Sequence, residues 1–250
     1  MSGAVRVERP APHVARLVID NPPMNPLGQA MRATFIEVLD EVEADPSVRA
    51  LIVTGVGGAF CSGDDLKAVG PSGEDLAGFG RLLERLEASR AAIIAAINGW
   101  CIGGGFELAL CCDIRIAAHD ARFVCAGVNM GLMVSAWRLP RLIGVSRAKA
   151  MLLTGSTHDA ATAERYGLVT GLHASEELEA AAMDLASRVA SRAPLAVEAT
   201  KRVASRAPDL SPEDAAIMQA AELRTLRRSQ DHREAVTAFR EKREPRFERR

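Results

Sequence analysis

The chain has 250 residues, of which 48% are hydrophobic and 25% charged, with a formal net charge of -1. That length buries a full core in one moderately large domain, and the balance excludes a disordered chain and argues against nucleic acid as a main partner. No apolar run approaches a membrane span and the N-terminus lacks a basic-then-apolar leader, so the expected setting is the cytoplasm, with no membrane partner.

In chain order, residues 14–19 read as a strand, stopped by Asn21-Pro22-Pro23. Residues 31–42 read as a helix with Phe35, Val38, Leu39 and Val42 on one face. A second strand, 49–54, ends in Gly55-Val56-Gly57-Gly58, and a third, 93–97, runs into Asn98-Gly99. Strands this continuously apolar predict a sheet covered on both faces. Beyond them, 147–153, 160–166, 176–192, 196–204 and 213–227 have helical spacing, broken by Gly155, Gly167, Pro194 and Pro208. The expected organisation is a sheet-containing core over 1–190 and a helical region over 191–250. The basic residues Arg240, Lys242, Arg243, Arg246, Arg249 and Arg250 read mostly as a solvated, fraying end.

Two stretches carry chemistry. In the first, an apolar strand meets Gly103-Gly104-Gly105 and then an amphipathic helix containing Glu107. Glycines admit close backbone approach, and unpaired N–H groups at a helix start favour negative charge, which suits an oxyanion. A tight turn with close strand–helix packing would use glycines equally well. In the second, Phe60-Cys61-Ser62-Gly63-Asp64-Asp65-Leu66-Lys67 follows a strand and a glycine turn. Ser62 lacks the G-x-S-x-G elbow of a hydrolase nucleophile, and Gly55-Val56-Gly57-Gly58 fits neither dinucleotide nor P-loop patterns. Cys61, Cys101, Cys111, Cys112 and Cys125 have no metal or redox spacing and read as small core residues. His13, His119, His158, His173 and His232 are dispersed along the chain, and no metal site is expected.

Together these stretches resemble the crotonase superfamily, to which enoyl-CoA hydratase belongs. The likeness runs from Asn21-Pro22-Pro23 through both glycine-rich stretches to Cys112-Asp113-Ile114-Arg115, Leu139-Pro140-Arg141-Leu142-Ile143-Gly144, Ala163-Glu164-Arg165-Tyr166-Gly167-Leu168-Val169 and residues 233–242. The resemblance implies an α/β fold with a crotonase-like core of repeated β-β-α units and a helical C-terminal region that supports trimers or hexamers. It implies an acyl-CoA (coenzyme A thioester) substrate and no separate cofactor. The family's oxyanion hole uses two backbone N–H groups, which fall on Asp64 and Gly104. Asp64, Asp65, Leu66 and Lys67 would line the coenzyme A path with Met24 nearby, and Lys242 would approach coenzyme A across a subunit boundary. Asp64 stands where the family often has a small residue, so its carboxylate is expected to point away from the developing enolate.

Hydratases of this family place two glutamates around one water. The first falls on Glu107; the second falls on Gly127, and no carboxylate occurs between Asp120 and the next helix. The segment Met133-Val134-Ser135-Ala136-Trp137-Arg138 is also shorter than the family's glycine-rich turn. The expected activity is enoyl-CoA hydration with Glu107 as the retained acid/base and Asn129, Ser135 or backbone holding the water. Isomerisation, decarboxylation, thioester hydrolysis, or acyl-CoA binding without turnover are the alternatives. Cys125 reads as packing, and Trp137 as either core or acyl-pocket lining.

Overall fold

The computed structural model describes residues 3–66 and 76–250. Its strands fall into two sheets. The first has six: β1 (Ala4–Ala11), β2 (Val14–Asp20), β3 (Ala50–Gly55), β5 (Ala92–Ile97), β7 (Ile114–Ala118) and β10 (Leu172–His173), in that spatial order. The second has four: β4 (Ala59–Cys61), β6 (Trp100–Ile102), β8 (Arg122–Val124) and β9 (Thr157–Asp159). Successive units therefore put one strand in each sheet. β3 and β4 lead to α2 (Leu76–Ala88), β5 and β6 to α3 (Gly104–Leu110), and β7 and β8 to a short turn and α4 (Arg138–Ile143). These are the expected repeated β-β-α units, and C-terminal helices follow them.

The large sheet is parallel from β2 to β10, with β1 antiparallel at its edge. Parallel strands covered on both sides read as unbroken apolar runs, and every residue of β5 is buried. On one side lie α1 (Gln29–Ala44), α2 and α3, contributing Phe35, Leu39, Leu82, Leu86 and Phe106 to the main core. On the other lies α7 (Leu178–Ala190), which sets Leu178, Ala182, Ala186 and Ala190, four residues apart, on Ile52, Ile94 and Ile116. Its alanines let the helix sit close to the sheet, and each fully buried isoleucine contributes about 1.5–3 kcal/mol.

The sequence reading places β2, α1, β3 and β5 within two residues of their observed ends, as it does α5 (Val145–Thr154), α6 (Ala160–Tyr166), α7, α8 (Pro194–Arg206) and α9 (Pro212–Leu226). It misses β1, whose few apolar residues and Pro10 are tolerated because an edge strand needs neither two buried faces nor every N–H. It also misses α2, although Phe79, Leu82, Leu83 and Leu86 follow helical spacing, because Gly78 and Gly80 interrupt it.

The C-terminus is docked rather than fraying. Helix α10 (Gln230–Glu241) starts at Ser229, whose hydroxyl accepts from the His232 N–H at 3.0 Å. The chain then folds back. The buried Asp231 carboxylate accepts from the Glu248 and Arg249 N–H groups at 2.8 and 3.1 Å. Arg249 forks onto Glu198 at 2.8 and 3.1 Å, and Arg49 donates to the Phe247 carbonyl at 2.6 Å. Hydrogen bonds from Arg243 pull the Glu234 carboxyl down to about 2. The expectation of a fraying end fails, although the basic side chains stay largely exposed, because Glu198 of α8 and Asp231 and Glu234 of α10 hold the returning chain.

Candidate active site

The parallel strands β4 and β6 lie side by side, with Cys61 beside Cys101. Their downstream ends therefore deliver two loops to one place: Ser62-Gly63-Asp64, and Gly103-Gly104 entering α3. Contact between the loops is backbone on backbone. Gly63 has φ +88°, and a Cβ there would lie 2.6 Å from the Gly104 nitrogen and 2.8 Å from its Cα. A Cβ on Gly105 would meet the Cys61 carbonyl oxygen at 2.0 Å. Side chains are excluded from this junction by steric necessity. Gly104 is the first residue of α3, so its N–H is one of the donors the helix cannot use itself. The packing reading of the glycines is thus met by the backbone contact, and the same contact sets the Gly104 N–H beside the 62–64 loop.

Asp64 is held from the side of α1. The Leu27 N–H donates to the Gly63 carbonyl at 2.7 Å, and Leu27 bridges Asp64 in parallel fashion. Arg32, nearly fully buried on α1, donates to the Leu27 carbonyl at 2.9 Å and to the Asp64 carboxylate. The guanidinium thus fixes the carboxylate toward α1. Arg32→Ala is expected to lower stability by about 1–3 kcal/mol, the cost of removing a buried hydrogen-bonding partner. It is also expected to reduce turnover by leaving the Asp64 charge without its Arg32 partner; thermal unfolding and kcat on one preparation check both. Met24 and Asp65 are half-buried, Leu66 is exposed, and Lys67 lies outside the described residues.

Glu107 lies one turn into α3, its N–H bonded to the Gly103 carbonyl at 3.0 Å. Its carboxylate accepts from the Ser135 N–H at 2.5 Å and lies 3.8 Å from the Arg138 guanidinium. Ser135 is buried with φ +61°, a left-handed conformation that costs about 1–3 kcal/mol outside glycine and persists only where its surroundings enforce it. Here the 133–138 segment turns back so that the Ser135 N–H meets Glu107. The Ser135 hydroxyl is buried without a hydrogen-bond partner among the described residues.

Arg138 was not singled out from sequence. It forks onto Glu87 of α2 at 2.7 and 2.9 Å, and its guanidinium stacks 4.3 Å from the Trp137 ring centre. Burial is the largest single influence and opposes its charge, but the Glu87 hydrogen bonds together with the nearby negative charges of Glu87 and Glu107 outweigh it and raise its pKa. Its only sequence signal is its place at the end of the segment 133–138. Trp137, 56% exposed, is not a core residue.

The segment around Gly127 is packed tightly. Gly127 opens a turn in which its carbonyl accepts from the Met130 and Leu132 N–H groups. A Cβ there would lie 2.7 Å from Val134 Cγ2 and 2.9 Å from the Leu132 carbonyl oxygen. Restoring a carboxylate by Gly127→Glu is therefore expected to displace the 132–134 loop, to cost about 1–3 kcal/mol as overpacking does, and not to raise hydration. Denaturant unfolding beside a hydration assay checks this. Asn129 is engaged elsewhere, donating to the Gly155 carbonyl at 3.0 Å, whereas the Ser135 hydroxyl has no partner among the described residues. Cys125 is core packing, its thiol pushed up to about 12 by burial, with the Glu107 charge adding to the shift. All five cysteines are free and buried, and each histidine is exposed or half-buried.

Comparison with known proteins gives these residues a context. The (E)-benzylidenesuccinyl-CoA hydratase of Thauera aromatica is 36% identical over 94% of this chain and 95% of its own. The crotonyl-CoA hydratase of Syntrophomonas wolfei is 36% identical over 94% of each chain. The crystal structure of an enoyl-CoA hydratase from Bacillus anthracis superposes with a TM-score of 0.96 at 31% identity, covering 98% of this chain and 99% of that one. Residues 11–250 match the family described as Enoyl-CoA hydratase/isomerase, and the chain belongs to that crotonase family.

Proposed function

We propose that this protein adds water to a 2-enoyl-CoA, with Glu107 as its acid/base and the main-chain N–H groups of Asp64 and Gly104 as the oxyanion hole. The observation that carries the reading is the junction of Gly63 with Gly104, one helical turn from a carboxylate directed by the Ser135 N–H. Relatives of similar length named as hydratases support it.

In the reaction, water oxygen bonds to the β-carbon while the carbon–carbon π electrons move to the thioester oxygen. Glu107 accepts the water proton and the two N–H groups stabilise the resulting enolate. The enolate then collapses, its α-carbon taking a proton back from Glu107. Preorganised donors act most strongly where charge develops, and each contributes about 2.7–4 kcal/mol. The Ser135 hydroxyl, unpartnered among the described residues, is a polar group available to hold the water where other hydratases have a second glutamate. One carboxylate also suffices to move a proton between two carbons of a 3-enoyl-CoA, so the absence of an acid at Gly127 favours isomerisation as the second reading.

Asp65, Leu66 and Lys67 belong to the coenzyme A path in this reading, and Lys242 to a neighbouring subunit's. Self-association to a trimer or hexamer is part of it. Residues 191–250 contribute to that assembly through Ile217, Leu223 and Phe239, and the core through Met130, Met133 and Leu153, all exposed large apolar residues. Among the described residues no helix is long and apolar enough to cross a membrane.

The deciding experiment incubates purified protein with crotonyl-CoA, a longer 2-enoyl-CoA and a 3-enoyl-CoA, following enoyl-thioester absorbance and products. Loss of the 2-enoyl absorbance with formation of 3-hydroxyacyl-CoA supports hydration. Conversion of the 3-enoyl substrate alone transfers the assignment to isomerisation, and acyl-CoA binding with no product on any of them leaves only a binder.

A further inference from the structure

We infer that Arg138, held by Glu87, is a positioning residue for Glu107, an arrangement in which a surface-side carboxylate on α2 fixes the direction of the acid/base on α3. The inference rests on the reading of Glu107 given above.

The side chains form a line. Glu87 accepts both arms of the Arg138 fork at 2.7 and 2.9 Å, and Arg138 Nη1 lies 3.8 Å from Glu107 Oε1. Bidentate geometry fixes a guanidinium in two directions, and the Trp137 ring beneath it fixes the third. Arg138 and Glu107 are largely shielded from solvent, with side-chain exposures of 12% and 13%, so their attraction is poorly screened. The cation therefore has little freedom, and the oxygen it faces is the one that accepts the Ser135 N–H. Two fixed partners on one oxygen leave the other oxygen of Glu107 for chemistry.

Neighbouring charges do not duplicate this role. On α2, Arg85 pairs with Asp40 of α1, while Arg81 and Glu84 are exposed. On α4, Arg141 pairs with Asp209. The flanking thiols Cys111 and Cys125 are pushed upward by burial and stay neutral. Among the described residues, Arg138 is the cation paired with Glu107.

A site with one carboxylate depends on that group's direction twice per turnover, and a misplacement near 1 Å costs about 100-fold. Arg138→Met is therefore expected to lower kcat by about that factor with KM nearly constant, Arg138→Lys to recover part of it, and Glu87→Gln to lose about tenfold. In a Glu107→Gln background, Arg138→Met should change kcat no further; an equal loss in both backgrounds overturns the inference.

A second readout needs no turnover. The Ser135 amide proton, bonded to Glu107, should shift upfield in the NMR spectra of both Arg138→Met and Glu87→Gln in the folded protein. If it stays in place in both, the inference fails. If instead the wild-type enzyme converts no enoyl-CoA while the amide shifts as expected, the hydratase reading falls and the positioning network stands.

Discussion

Glu107→Gln is expected to abolish nearly all hydration while leaving coenzyme A binding intact. The substitution keeps the shape of the side chain, and its amide oxygen still accepts from the Ser135 N–H, so the 135–138 loop has no reason to move. What is lost is the group that takes the proton from water and returns it to the α-carbon. A positioned acid/base typically contributes about 10²–10⁴-fold, and no other described carboxylate stands ready to substitute, because position 127, where the family likeness implies the second glutamate, is a glycine and Glu87 is engaged by Arg138. Steady-state kinetics should show the fall in kcat. Titration calorimetry with a saturated acyl-CoA should give an unchanged Kd, because Asp64, Asp65 and Leu66, the residues proposed for the coenzyme A path, are untouched. Turnover equal to wild type would remove Glu107 from the mechanism.

How far this site was legible follows from how its parts are encoded. The strands and glycine-rich loops announce themselves locally, since apolar runs and consecutive glycines are properties of neighbouring residues. Glu107 followed from its one-turn spacing after Gly104 together with the family likeness. Ser135 was named only as one of several water-holding candidates, and its left-handed backbone is invisible in a sequence that shows an ordinary Val-Ser-Ala. Arg32, Glu87 and Arg138 escaped because their charged partners are far off in the chain, on elements that only the completed fold brings together. The C-terminal arginines escaped for the same reason. A run of like charges reads as solvated until Glu198 and Asp231 are found beside it. Lone charged residues are thus hard to read from sequence, and here they pair with the two acidic residues of interest, Arg32 with Asp64 and Arg138 with Glu107.

Gly63→Ala should be as damaging to catalysis as Glu107→Gln, though it changes no ionisable group. The new methyl would point at the Gly104 nitrogen from 2.6 Å, closer than any normal contact, and would sit on a residue with φ +88°. Both partners at the contact are backbone, so neither can yield by rotating a side chain. One of the loops must retreat, and either movement separates the two main-chain donors on Asp64 and Gly104. Losing one preorganised donor raises the barrier by about 2.7–4 kcal/mol, which is about 10²–10³ in kcat. Backbone strain adds a stability loss of about 1–3 kcal/mol, so thermal unfolding must accompany the kinetics to show that the variant is folded during assay. The distinguishing result comes from exchange. A saturated acyl-CoA in deuterated water should lose α-proton exchange in Gly63→Ala as completely as in Glu107→Gln, because enolate formation requires both the base and the donors. A folded Gly63→Ala protein that exchanges at the wild-type rate would mean that the Gly63–Gly104 junction serves packing alone.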